Sequence, residues 1–168
     1  TGPRCLTLRR CYIDPFWRIE NTNDRWDWPI ADLPFAANPQ DARLAGGFMT
    51  RWRDKLFAGA VAGRQPFAFM PLQGKLLQRR HFQAMSQVDM IAETFRINPR
   101  QSVIATLHPA ETYSDAEMSA LRDLKRQNPG FELSSLQSDT LLLECSRVIT
   151  QNSSLALRGF FLAKPAIL

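Results

Sequence analysis

The sequence predicts an α/β fold: an open, parallel, Rossmann-like sheet over residues 65–168, preceded by an irregular, Trp-rich segment over residues 1–64. Three observations lead there. From Gln65 onward, short apolar runs alternate with stretches of helical periodicity. The links between them are short, and a strand–helix–strand unit with short links closes as a right-handed crossover between parallel strands. Before Gln65 the alternation is absent, and all four tryptophans (Trp17, Trp26, Trp28 and Trp52) are gathered there.

In the first segment, prolines at 29, 34 and 39 exclude a long regular element from "DWPIADLPFAANPQ". A helix is expected over 41–63, stopped at Gly63. "PFAFM" (66–70) reads as a buried strand. Val88, Ile91, Ala92 and Phe95 then form one helical stripe, capped by Ser86 and ended by Pro99. "SVIATL" (102–107) is β-branched and apolar, a strand. Ser114 and Glu117 make a capping box that opens a helix to about Gln127. "NPG" (128–130) is a turn and "FEL" (131–133) a short strand. Ser138 caps "DTLLLECS", "RVIT" (147–150) is a strand, and Ser153 or Ser154 caps "LALRGFFLA" before a last strand, "AIL".

With 45% apolar and 22% charged residues, the composition is that of a soluble globular domain. No uninterrupted apolar run is long enough to span a bilayer. Cys5, Cys11 and Cys145 have no zinc-ligand spacing and read as free thiols in a reducing compartment, with a Cys5–Cys11 disulfide as the alternative. The net charge of +5 gathers in Arg9-Arg10, Arg51-Trp52-Arg53 and Gln78-Arg79-Arg80-His81. Such clusters are solvated surface or an attraction for anions. No basic run or nucleic-acid motif accompanies them, so nucleic acid is not an expected partner. The chain opens on Thr1 without a leader pattern and closes on an apolar run; the second domain is expected to be truncated at its C-terminus.

Ligands of an open parallel sheet bind beyond the carboxyl ends of its strands. Gln73 and Gly74, His108 to Glu111, Ser134-Ser135, and Gln151 to Ser154 all fall there. His108 precedes Pro109, which biases it to an extended backbone at the sheet edge. There it is either a phosphate donor or acid–base group, or a loop histidine with a local backbone partner. Ser153 and Ser154 are either plain caps or donors to an anion. Dinucleotide, P-loop and hydrolase-elbow motifs are all missing. The two histidines, His81 and His108, lack acidic partners at ligand spacing, so no metal site is expected.

"FMPLQGKLLQRR", "SQVDMI", "SVIATLHPAETYS" and "SRVITQNSSLALRGFFLAKPAIL" together resemble the capsular polysaccharide biosynthesis family. That family includes the bacterial retaining Kdo transferases, of GT-B architecture. The resemblance covers about residues 65 to 168 and is looser before them. It implies one half of a GT-B glycosyltransferase, the half that binds nucleotide. It implies a CMP-sugar donor, an acidic sugar such as Kdo, and a glycan or glycolipid acceptor, with no cofactor. The place of work would be the bacterial cytoplasm, with peripheral contact at the inner membrane. Carried over, His108 of the His-Pro pair contacts the donor phosphate. Ser153 and Ser154 do the same, with Asn152 beside them, and Gln73 lies at the cleft between the two halves. Glu111 is a further polar residue near the nucleotide. Asp14, Glu20, Asp24 and Asp27 match no catalytic position, so no catalytic residue is assigned. The chain also departs from the family in holding about one of two halves and in reading "LAKP" where "GKP" is usual. Two other classes compete with the transferase reading. One is a non-catalytic nucleotide- or sugar-binding module of a polysaccharide synthesis or export complex. The other is a sugar-nucleotide epimerase.

Overall fold

The computed structural model describes residues 6–10, 16–24, 27–32 and 42–167. Cys5, Cys11, Asp14, Trp26, Pro34 and Pro39 lie outside them, and with them the Cys5–Cys11 alternative. By its internal contacts the chain divides into Thr1–Met49 and Thr50–Leu168. The composition shift near residue 64 therefore falls inside the second unit. The reason is packing: Trp52 and Phe57 are buried, and Trp52 sits against Phe161 with ring centroids 6.2 Å apart.

The first unit holds a strand pair that the sequence reading did not anticipate, ahead of the proline-spaced stretch. β1 (Thr7–Arg10) pairs antiparallel with β2 (Trp17–Glu20) in the register Leu8↔Ile19. Arg18 Nε donates to Glu20 Oε1 at 2.8 Å, and its guanidinium lies 5.1 Å from the Trp28 ring centre. α1 (Pro29–Asp32) is a single turn. α2 (Ala42–Phe57) runs across the division between the units. It stops six residues before Gly63: Ala58 and Gly59 turn to positive φ (48° and 76°), and Gly59 is the residue suited to that conformation.

The second unit is an open, Rossmann-like α/β domain. Its elements are β3 (Gln65–Pro71), α3 (Gln87–Ile97), β4 (Ser102–Thr106), α4 (Asp115–Gln127), β5 (Phe131–Leu133), α5 (Ser138–Glu144), β6 (Cys145–Ile149), α6 (Leu155–Phe160) and β7 (Ala166–Ile167). All five strands are parallel, in the order β5-β4-β3-β6-β7. The chain leaves β3 in one direction, through β4 to β5, then returns to lay β6 on the other side of β3. α3 packs beside α4, and α5 beside α6. Because every crossover turns the same way, the reversal puts these two helix pairs on opposite faces. The period of two along β3 follows suit. Ala68 and Met70 join Ile91, Phe95, Leu121 and Phe131 in one core. Phe69, between them, faces the other side.

Caps fix where the helices begin. The Ser86 hydroxyl accepts the Asp89 N–H at 3.1 Å, and Ser114 with Glu117 forms a complete capping box. Ser138 does not cap: Gln137 holds that position, and Ser138 is the first helical residue, its hydroxyl 3.4 Å from Thr106 Oγ1. α6 is shorter than its apolar spacing predicts, ending at Phe160, with Ala163 at φ 54° before the last strand. Among the described residues no helix is long and apolar enough to cross a membrane.

Candidate functional site

The reversal of strand order puts the topological switch point between β3 and β6, where an open α/β sheet forms its ligand crevice. The carboxyl ends of those strands carry Gln73 and Asn152, and the two side chains meet: Asn152 Nδ2 donates to Gln73 Oε1 at 2.9 Å. Arg80 donates to the same oxygen at 3.3 Å and to the Gly74 carbonyl at 2.7 Å. Gln83 Nε2 donates to Asn152 Oδ1 at 3.2 Å. Gln87 accepts the Gln73 N–H and returns a bond to the Gln73 carbonyl. Gln151 accepts the N–H groups of Ala84 and Met85 and donates to the Met85 carbonyl. These amides tie the connection 72–86 to the segment that follows β6 and to the start of α3. Residue-by-residue reading picked out Gln73, Gln151 and Asn152 but not the two glutamine partners, Gln83 and Gln87. The signal was in the sequence, as Gln83 and Gln87 flank the Ser86 cap, but glutamines pass as surface residues until their burial is known.

Beside this network a cleft of about 340 Å³ opens along the carboxyl edge. His108, Ser153, Ser154 and Gln73 line it together, brought from the ends of β4, β6 and β3. Asn152 stays behind them in the amide network. Glu111 is placed elsewhere, in a neighbouring cleft with Lys75, Gln78 and Thr112. It packs so closely on Gly74 that a Cβ there would collide with its carboxylate.

Local bonds set the state of each group. His108 is exposed, and its Nδ1 accepts the Ala110 N–H at 3.2 Å. In the neutral ring the proton is then on Nε2, which is left as a donor. The local backbone partner and the ligand role are thus compatible, since they use different nitrogens. The His108 N–H donates to the Tyr113 hydroxyl at 2.8 Å, which holds the loop. Burial, chiefly, pushes the Tyr113 phenol above its usual pKa. Ser153 Oγ accepts the Leu155 N–H at 3.3 Å and keeps its own proton to donate. Ser154 occupies the cap position of α6 but makes no capping bond.

Four lining residues that sequence reading did not assign complete the cleft's chemistry: Gln137, Ser138, Asp139 and Arg158. Arg158 donates to Asp139 Oδ2 at 2.7 Å. Among the described residues lining the cleft, Arg158 is the only arginine or lysine and Asp139 the only carboxylate. Against that one acid stand an imidazole, an arginine and three hydroxyls, a set that suits an anion. Among the described residues no group of three or more His, Cys, Asp or Glu is placed to hold a metal ion.

Compared with the models of known families, with curated proteins and with solved structures, the chain finds no match.

Proposed function

We propose that this chain binds a CMP-activated acidic sugar of the Kdo type, as the nucleotide-binding portion of a capsule or surface-polysaccharide glycosyltransferase. The observation that carries the reading is one cleft. Residues 45 positions apart, His108 and Ser153 with Ser154, line the same space at the carboxyl edge of a parallel sheet. Those residues belong to two of the stretches, "SVIATLHPAETYS" and "SRVITQNSSLALRGFFLAKPAIL", in which the chain resembles the capsule family. In transfer, the bond between sugar and phosphate breaks and CMP leaves with added negative charge. His108 Nε2–H and the serine hydroxyls are the donors that would meet that charge, and donors fixed in advance lower the barrier most. Gln73 and Asn152 act behind them by fixing the connection 72–86. The acceptor is a glycan or glycolipid, met in the cytoplasm or peripherally at the inner membrane.

Thermal unfolding tests the reading. CMP should raise the melting temperature, and UDP and GDP should not; equal shifts with all three, or none with CMP, would remove it. A second reading, a binding module that performs no transfer, is favoured by Asp139. The one carboxylate lining the cleft is engaged by Arg158 and is no free base. CMP binding without transfer of labelled Kdo to any capsule acceptor would select that reading.

A further inference from the structure

We propose that Arg158 is an anion-binding residue of this cleft, held by Asp139 until a phosphate takes the carboxylate's place. This deepens the nucleotide reading and rests on it for the identity of the phosphate. Arg158 and Asp139 line the same cleft as His108, Ser153 and Ser154. Their bond is single, from one terminal nitrogen of Arg158 to Asp139 Oδ2. A guanidinium has five N–H donors in a fixed fork and binds oxyanions best through two of them. Arg158 Nε, on the same fork, is buried and makes no hydrogen bond within the protein. A buried donor without an acceptor is a standing cost, and native structures seldom keep one without a reason. The Asp139 side chain is 47% exposed, so the pair that holds Arg158 is weak and readily exchanged.

The rest of the arginine is braced. Its guanidinium lies 5.3 Å from the centre of the Phe57 ring, a contact that positions the charge and uses no donor. Turning from Asp139 toward the cleft gives Nε and a terminal N–H the two oxygens of one phosphate. It also frees the positive charge of Arg158 from its carboxylate in the cleft that His108 lines. Asp139 then serves as a gate: it occupies Arg158 in the empty cleft and competes with every incoming anion. Removing its charge should therefore tighten binding, which a purely structural ion pair would not predict.

Calorimetric titration of the whole chain with CMP, inorganic phosphate and cytidine tests this, on wild type, Arg158→Gln, Arg158→Lys and Asp139→Asn. Arg158→Gln should lower affinity for CMP and for phosphate by about tenfold or more, and leave cytidine unchanged. Arg158→Lys should recover part of the loss, because the charge returns without the fork. Asp139→Asn should bind CMP and phosphate more tightly than wild type; it keeps the Phe57 contact, so it serves as the folded control. Wild-type affinities in Arg158→Gln, or weaker binding in Asp139→Asn, would overturn the proposal. The two readings fail separately. Phosphate bound by wild type and lost in Arg158→Gln, with CMP no tighter than phosphate, keeps Arg158 and removes the nucleotide. CMP bound equally by wild type and Arg158→Gln keeps the nucleotide and removes Arg158. No binding of either ligand to wild type overturns both.

Discussion

The two edges of the same parallel sheet use charge in opposite ways. At the amino edge, Lys164 is 4% exposed, and its ammonium is held by two backbone carbonyls. It donates to the Cys145 carbonyl at 2.7 Å and to the Gly63 carbonyl, joining the starts of β6 and β7 to the approach to β3. Burial, chiefly, pulls its pKa below the ordinary lysine value. At the carboxyl edge, His108 is exposed, Ser154 caps nothing, and Arg158 keeps a buried donor unused. A buried charge bonded to the backbone of two separate segments holds the fold together. A set of polar groups with donors to spare, gathered in one cleft, is what the proposed anion site requires.

Substitutions at the two edges should therefore separate stability from binding. The largest effect on folding is expected from Lys164→Ala, which leaves the Gly63 and Cys145 carbonyls without their donor and opens a void. Urea unfolding should show a loss of about 3 kcal/mol. CMP affinity of the folded protein should not change; a matching loss of affinity would dissolve the distinction between the edges.

Glu117 lies between these extremes, and its carboxylate does structural work close to the functional edge. Oε2 accepts the Ser114 N–H at 2.8 Å, and Oε1 accepts the Leu76 N–H at 2.6 Å, tying the capping box of α4 to the connection 72–86. The Ser114 bond, first, and then that from Leu76, hold the Glu117 carboxyl below the usual glutamate range. Below the ordinary value of 4.5 the unfolded chain therefore takes up the proton before the folded chain does. The contribution is present in full above that value and is lost as pH falls through the folded one. Glu117→Gln should cost about 1–2 kcal/mol at neutral pH. It should also flatten the acid limb of a stability–pH curve measured by denaturant unfolding. An unaltered acid limb would mean that other carboxylates carry it.

A smaller contrast separates two serines that look alike in sequence. Ser86 caps α3, so Ser86→Ala should cost about 1 kcal/mol. Ser154 holds the corresponding place before α6 without a capping bond, so Ser154→Ala should stay within about 0.5 kcal/mol of wild type by thermal unfolding. A full capping loss at Ser154 would return it to a structural role.

Much of this was legible in the sequence, and the legible parts have a common physical cause. The strands at 65–71, 102–106 and 131–133 and the helices opened by Ser86 and Ser114 are set by local periodicity and caps, which act within a few residues. His108, Ser153 and Ser154 could be proposed as neighbours because parallel strands deliver their carboxyl ends to one edge. What depends on three-dimensional packing was hidden. The stop of α2 at Phe57 rather than Gly63 is one case, since the Gly63 carbonyl is engaged by Lys164, far along the chain. The pairing of β1 with β2 is another, because four-residue strands carry little periodicity. Arg158 was read only as part of an apolar helix, and its role depends on a partner, Asp139, in a different helix.

The central claim is that the His108 cleft binds the phosphate of CMP, and a calorimetric titration of CMP into wild type and His108→Ala tests it most directly. Wild type should bind CMP, and His108→Ala should bind it at least about tenfold more weakly while its unfolding midpoint stays within the range of an exposed substitution. Equal CMP affinity in the two proteins would contradict the account and take His108 out of the site.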